Sequence, residues 1–139
     1  MSGYAGDVSS KEAWELLTSD PSSVLIDVRT DAEWNFVGVP NLASLSKNPI
    51  LLQWLTFPDS SVNEQFADQL EATGVGKDTA LLFLCRSGAR SAAAARLMTS
   101  RGFSRCINIS DGFEGDPDGE RHRSTSNGWK FSGLPWTQS

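Results

Sequence analysis

The sequence is poor in three features that define large classes of proteins. It has two cysteines, Cys85 and Cys106, which are too few for a disulfide framework and predict a reducing compartment. No apolar run approaches the about 18 residues that a membrane-spanning helix requires. Positive charge is scarce, with 12 Lys and Arg against 17 Asp and Glu and a net charge of −5, which disfavours nucleic-acid binding. Because residues 1–7 also lack the segments of a secretory signal, we expect a cytoplasmic protein with no membrane or nucleic-acid partner.

The remaining composition is that of an ordinary folded domain. The 139 residues are 39% hydrophobic and 21% charged, so we expect residues 1–139 to form one domain with one core. Residues 115–127 contain no large apolar side chain, which predicts an exposed loop. Residues 128–139 are expected to dock the C-terminal segment onto the body through four apolar side chains. These are Trp129, Phe131, Leu134 and Trp136.

Helical and strand patterns alternate along the rest of the chain. Ser9 and Thr30 each precede a glutamate by three residues, which predicts a capping box at the start of two helices. Apolar spacing predicts a third helix over Val62–Ala72, whereas Pro49–Thr56 favours an edge strand. Short apolar runs predict buried strands. They are Val24–Ile26, Ala80–Leu84 and Cys106–Ile109.

The clearest unit lies between the last two of these strands. Ser91–Met98 has a composition that strongly favours a helix, so strand, helix and strand follow one another within about 30 residues. Such a unit forms a right-handed crossover between parallel strands. Together with the earlier alternation, it predicts an α/β domain with a mostly parallel sheet.

The loop between that strand and that helix carries the chemistry. It places Cys85 at the carboxyl end of a strand and before a helix, where several unpaired backbone N–H groups favour an anion. Those N–H groups, the helix dipole and the guanidinium groups of Arg86 and Arg90 all favour the thiolate. Gly88 permits a positive φ, and its small neighbours Ser87 and Ala89 allow the loop to curl around the sulfur. The alternative interpretation is a buried, inert cysteine flanked by surface arginines.

The segment Cys85–Ser91 resembles the active-site loop of rhodanese-like sulfurtransferases, whose common form is Cys-Arg-x-Gly-x-Arg-Ser. The resemblance implies a three-layer α/β domain of the single-domain type, with a central, mostly parallel sheet of about five strands flanked by helices. Gly38–Leu42 departs from the family pattern, because it is one residue short and lacks a histidine. Three further segments resemble the family in order. They are Val24–Trp34, Ile109–Phe113 and Gly128–Pro135.

The resemblance implies sulfur transfer through a persulfide on a catalytic Cys85. A donor such as thiosulfate supplies the sulfur, and a thiol or a protein cysteine accepts it. The single histidine, His122, lies outside the loop, and an ionised thiol needs no histidine base. We expect no cofactor and no bound metal. The remaining loop residues are implied to bind substrate. They are Arg86, Ser87, Gly88, Ala89, Arg90 and Ser91.

Two roles remain open for Arg90, since it could line the anion pocket or pair with a carboxylate and hold the loop in shape. Asp27, Arg29 and Glu33 are predicted to support the loop, because ion pairs commonly lock such buried segments. Cys106 lies in an apolar strand, which favours a buried, inert thiol over a resolving partner of Cys85.

Two other functions compete with sulfur transfer. Cysteine-dependent phosphatases also place a cysteine at a strand end, but they have five residues between the cysteine and the arginine, whereas four separate Cys85 from Arg90. Fold alone does not decide the reaction, so a phosphatase or arsenate-reductase activity remains an alternative. A non-catalytic rhodanese module that binds a protein partner is the other alternative.

Overall fold

The structure, a computed structural model, describes residues 3–56 and 61–138. Across these residues the chain forms short strands interleaved with helices. The helices are α1 (Ser10–Ser19), α2 (Asp31–Phe36), α3 (Phe66–Ala72) and α4 (Ala89–Ser100). The strands are β1 (Gly6–Val8), β2 (Val24–Asp27), β3 (Val39–Pro40), β4 (Ile50–Leu51), β5 (Leu55–Thr56), β6 (Ser61–Val62), β7 (Leu81–Leu84), β8 (Cys106–Ile109) and β9 (Trp136–Thr137).

Five strands form the central sheet in the order β1-β8-β7-β2-β4, and every pairing in it is parallel. All four residues of β7 are buried, because this central strand is covered on both faces. Along β7, Leu81 and Phe83 face one core cluster and Leu82 and Leu84 face the other, as the pleat requires. The predicted α/β fold class and parallel sheet are confirmed.

Helices cover both faces of the sheet. α3 and α4 pack on one face through Phe66, Leu70 and Met98, and α1 packs on the other through Ala13 and Leu17. Both predicted capping boxes are present at the starts of α1 and α2. The molecule is therefore the three-layer domain that the resemblance implies.

The predicted start of the third helix is wrong by four residues. α3 begins at Phe66, because Val62 pairs with Leu55 in the β5–β6 hairpin. Asn63 then forms a turn, its side-chain oxygen accepting from the amide of Gln65 at 3.1 Å. An asparagine that binds nearby backbone competes with helix formation at its own position.

Two residues of the segment 47–62 extend the central sheet, and two other pairs form the separate β5–β6 hairpin. Pro49–Thr56 was predicted as an edge strand, and its residues Ile50 and Leu51 form β4, the edge strand next to β2. Residues 57–60 of this segment lie outside the described residues.

The C-terminal segment returns to the body of the domain. Trp129 is buried and donates through Nε1 to the carbonyl of Pro135 at 2.8 Å, and β9 pairs antiparallel with β3. Of the other expected anchors, Phe131 is 53% exposed, and Trp136 is 39% exposed but packs edge-on against the buried Phe113 ring, with 6.3 Å between the ring centroids. Most of residues 115–127 are exposed, and Asp118 and Asn127 hydrogen-bond to the backbone of this loop.

No helix in residues 3–56 and 61–138 is long and apolar enough to cross a bilayer. The same residues contain no group of three or more His, Cys, Asp or Glu side chains that could hold a metal ion.

Candidate active site

Cys85 follows β7 directly, at the carboxyl edge of the parallel sheet, and three residues separate it from the start of α4 at Ala89. Gly88 precedes the helix with φ +110°, and a Cβ there would collide with the carbonyl of Ser110 at the end of β8. The chain can therefore turn tightly into α4 only with glycine at this position. The amides of Phe113 and Glu114 bind the carbonyls of Cys85 and Arg86 at 2.8 and 3.1 Å, which fixes the loop from the other side.

Two polar groups contact the Cys85 sulfur. The Gly88 amide donates to Sγ at 3.1 Å, and Ser91 Oγ lies 3.2 Å from Sγ. The sequence predicts several backbone amides at the sulfur. In the described part of the chain one amide, that of Gly88, donates to it, and the second contact is with the Ser91 hydroxyl from the first turn of α4. Cys85 is 1% exposed and belongs to the buried apolar cluster on one face of the sheet.

Arg90 forms an ion pair with Glu33 instead of pointing at the sulfur. Its Nη1 and Nη2 donate to the two carboxylate oxygens of Glu33 at 2.7 and 3.0 Å. Burial alone would raise the pKa of Glu33, but the hydrogen bonds and charge of Arg90, together with Thr30, hold it below its ordinary value. Two roles were left open for Arg90, and this pairing with a carboxylate matches the role of supporting the loop.

Asp27 and Arg29 form a second, fully buried ion pair beneath the loop. Arg29 Nε and Nη2 donate to Asp27 at 2.9 and 2.7 Å, and Nη2 also donates to the Gly38 carbonyl at 2.7 Å. The guanidinium group stacks on the Phe113 ring, 4.2 Å from its centroid. The pair thus joins the end of β2 to the turn before β3 and to Phe113, whose amide holds the Cys85 carbonyl.

The remaining loop residues differ in exposure. Arg86 and Ala89 are exposed, Ser87 is half-buried, and Gly88 and Ser91 are buried. Arg86 is therefore the loop cation that meets solvent beside the sulfur.

A family model described as the STR4 middle domain matches residues 5–139. The chain belongs to this family. Its fold is rhodanese-like: Rhodanese-like domain-containing protein 4 of Arabidopsis thaliana is 28% identical over 134 residues, which cover 96% of this chain and 26% of that protein.

Other similar proteins cover the whole rhodanese-like domain. The crystal structure of Rv0390 from M. tuberculosis is 44% identical with a TM-score of 0.90, over 98% of this chain and 99% of that one. An uncharacterized protein of Rickettsia conorii is 39% identical over 94% of this chain and 95% of its own length. The polysulfide-sulfur transferase homodimer of Wolinella succinogenes shares the fold, with a TM-score of 0.61 at 20% identity over 96% of this chain and 78% of that one.

Cys106 lies at the opposite end of the rhodanese-like sheet from Cys85. Cys106 pairs with Leu81 at the start of β7. Cys85 follows Leu81 by four residues, which separates the two cysteines by about 13 Å along the strand direction at the usual rise per residue. A disulfide requires Cα atoms within about 7 Å, so this geometry excludes a direct resolving role. Burial raises the pKa of the Cys106 thiol.

Three polar residues at this site were not predicted from the sequence. Asn108 accepts from Ser91 and binds Asp7, and Lys130 lies over the rings of Phe113 and Trp136 at 5.4 and 3.9 Å. A polar Asn108 at the end of an apolar strand was the available signal, since ligands bind at that edge of a parallel sheet. Asp7 had no such signal, because the strand β1 was not apparent, and the predicted docking of residues 128–139 did not indicate where the Lys130 side chain would lie.

Proposed function

We propose that this domain is a sulfurtransferase that moves sulfane sulfur from a small anionic donor to a thiophilic acceptor through a persulfide on Cys85. Thiosulfate is the donor type that best fits a basic residue directly after the nucleophile, and a thiol or a protein cysteine is the acceptor. A reducing compartment such as the cytoplasm fits this chemistry, because both cysteines are free.

The observation that carries the proposal is the hydrogen bond from the Gly88 amide to Cys85 Sγ at 3.1 Å. It places the sulfur at the start of the 12-residue helix α4, where the helix dipole stabilises negative charge. A thiolate and a persulfide are both anionic, so the same main-chain donor serves the sulfur before and after it is loaded.

The reaction proceeds in two displacements. The Cys85 thiolate attacks the outer sulfur of thiosulfate, a new S–S bond forms, and the bond to the inner sulfur breaks so that sulfite leaves with its electron pair. A nucleophilic acceptor such as cyanide then attacks the terminal sulfur of the persulfide, and Cys85 is released as the thiolate. No oxidant is consumed in either step.

Two cations at the carboxyl edge are available to the sulfonate end of the donor. Arg86 is exposed beside the nucleophile. Lys130 is joined to the loop through Phe113: the Lys130 amide donates to the Phe113 carbonyl, and the Phe113 amide donates to the Cys85 carbonyl. Burial lowers the pKa of Lys130, with Glu114 opposing the shift and Arg29 adding to it. Arg90 is committed to Glu33, which also disfavours a phosphatase, because such an enzyme needs that arginine on the phosphoryl group.

One observation favours a second candidate, a non-catalytic module that binds a protein partner. The 1% exposure of Cys85 means that the loop must open before a donor can reach the sulfur. A module that never opens would present only the surface formed by Arg86 and Ala89.

Intact-mass spectrometry after incubation with thiosulfate separates the two candidates. We expect the wild type to gain the mass of one sulfur atom and to release one equivalent of sulfite, and we expect cyanide to reverse the gain. Cys85→Ser is expected to show neither change. An unmodified wild type across thiosulfate, polysulfide and persulfide donors would reject the sulfurtransferase and leave the binding module.

A further inference from the structure

A chain of hydrogen bonds leads from the Cys85 sulfur to the edge strand β1. Cys85 Sγ lies 3.2 Å from Ser91 Oγ, and Ser91 Oγ donates to Asn108 Oδ1 at 2.5 Å. Asn108 Nδ2 donates to Asp7 Oδ1 at 2.9 Å, and the Tyr4 hydroxyl donates to the same oxygen at 2.8 Å. Asp7 and Asn108 are side by side because β1 and β8 pair in parallel with these two residues in register.

The direction of each bond in this chain follows from Asp7. A carboxylate only accepts hydrogen bonds, so Asn108 must turn its amide nitrogen toward Asp7 and its oxygen toward Ser91. That oxygen takes the single proton of the Ser91 hydroxyl. Ser91 can then only accept from Cys85, and the partner that donates across the 3.2 Å contact is the thiol S–H.

An anionic sulfur cannot use this arrangement, because a thiolate or a persulfide has no proton to donate. The Ser91 hydroxyl must rotate toward the sulfur, and Asn108 Oδ1 then loses its donor. Asn108 is 3% exposed and Ser91 is fully buried, so water does not readily replace that donor. The network therefore opposes the charge that the Gly88 amide favours.

We propose that Asn108 and Asp7 are positioning residues that hold the Ser91 proton away from Cys85 and so keep the resting nucleophile protonated. Sulfur loading, which rests on the proposed function, then requires the Ser91 hydroxyl to turn to the sulfur. The other charged groups near the sulfur do not determine the position of the Ser91 proton. Arg90 has a charge interaction with Cys85, but its hydrogen bonds go to Glu33; Arg29 is paired with Asp27, and Arg86 is exposed.

The test is the pH dependence of Cys85 alkylation by iodoacetamide, with the modified cysteine identified by peptide mass spectrometry. Asn108→Leu removes the acceptor and frees the Ser91 proton for the sulfur. We expect its alkylation profile to shift to lower pH and its rate at pH 6 to rise about tenfold, the effect of one hydrogen bond to a charged group. Asp7→Ala is expected to shift the profile in the same direction by a smaller amount, since it only releases the orientation of Asn108.

The double variant Ser91→Ala with Asn108→Leu distinguishes positioning from a general structural effect. If Asn108 acts through the Ser91 proton, its replacement has no effect once Ser91 is alanine. An equal shift with and without Ser91, or no shift in the single variant, would overturn the inference. Glu15→Ala is the control for Asp7→Ala, because it also removes one exposed carboxylate, in the middle of α1 and outside the hydrogen-bond chain. We expect it to leave the alkylation profile unchanged.

Asp7 is exposed, so Asp7→Ala remains informative if Asn108→Leu does not fold. Failure of this inference is distinguishable from failure of the proposed function. A shifted alkylation profile without any sulfur loading would reject the sulfurtransferase alone, whereas loading without the shift would reject only the role of Asn108 and Asp7.

Discussion

At the scale of single residues, Cys85 and Cys106 show how position separates two thiols of the same chemistry. Both are buried in the same apolar cluster, but Cys85 stands at the carboxyl edge with an amide and a hydroxyl on its sulfur. The Cys106 sulfur has a weak contact with the Phe103 carbonyl at 3.7 Å and a hydrogen bond with the Thr99 side chain. Burial raises the pKa of the Cys106 thiol and keeps it protonated, whereas the Gly88 amide at the edge of the sheet favours an anionic Cys85 sulfur.

Cys106→Ala is expected to retain sulfur loading from thiosulfate at close to the wild-type rate. The substitution removes one buried sulfur atom, so we expect a loss of about 1 kcal/mol in the free energy of unfolding, measured by urea denaturation. Loading is followed by intact mass as for the wild type. A folded variant that no longer accepts sulfur would show that Cys106 takes part in turnover.

At the scale of elements, the turn from β7 into α4 is the part of the site that the sequence predicted best. The apolar run of β7 and the alanine-rich helix fixed the two ends of the loop, and Gly88 marked the position that needs a positive φ. The partners of the sulfur could not be predicted equally well. Which amide reaches Sγ depends on the path of three residues, and the pairing of Arg90 with Glu33 depends on where α2 lies.

Gly88→Ala is expected to disrupt this turn, because its Cβ would meet the Ser110 carbonyl and its φ of +110° is unfavourable for alanine. We expect a loss of about 2 kcal/mol or more in the free energy of unfolding and loss of sulfur loading in the folded fraction.

Gly102→Ala is the matched control at the other end of α4. Gly102 also has a positive φ, of +96°, but the nearest atom to its Cβ is the flexible Lys77 Nζ at 3.9 Å. We expect a smaller loss, about 1 kcal/mol, with sulfur loading retained. Equal losses for the two variants would mean that the close approach of Gly88 to β8 does not matter.

At the scale of the whole molecule, the site is assembled where neighbouring strands of the sheet end. β2 leads to the Asp27–Arg29 pair and to α2 with Glu33, β7 leads to Cys85, and β8 contributes Asn108. The sequence predicted the parallel sheet because its central strands are continuous apolar runs. It did not predict β1, whose three residues Gly6–Val8 include one apolar side chain, and the partners of Asn108 were missed for that reason.

The Glu33–Arg90 pair connects α2 to α4 across this edge, so its loss should be visible in the stability of the whole domain. The two side chains are 20% and 21% exposed, and the pKa of Glu33 is held below its ordinary value of 4.5. A carboxylate with a lowered pKa in the folded state stabilises the fold fully above its unfolded-state pKa. That stabilisation disappears as the pH falls through the lower, folded-state value.

Glu33→Gln is therefore expected to lower the free energy of unfolding by about 1–3 kcal/mol at pH 7, measured in urea, because it leaves Arg90 half-buried without its charge partner. The difference from the wild type should be unchanged at pH 5.5 and should shrink progressively below pH 4.5, where the Glu33 carboxyl becomes protonated first in the unfolded chain and then, at lower pH, in the folded protein. Glu71→Gln is the control, since Glu71 pairs with Arg101 and Lys77 at the surface, where solvent screens the charges, and its loss should change the free energy of unfolding much less. A difference for Glu33→Gln that stays constant from pH 7 to pH 3 would show that the contacts of the side chain, and not its charge, connect the two helices.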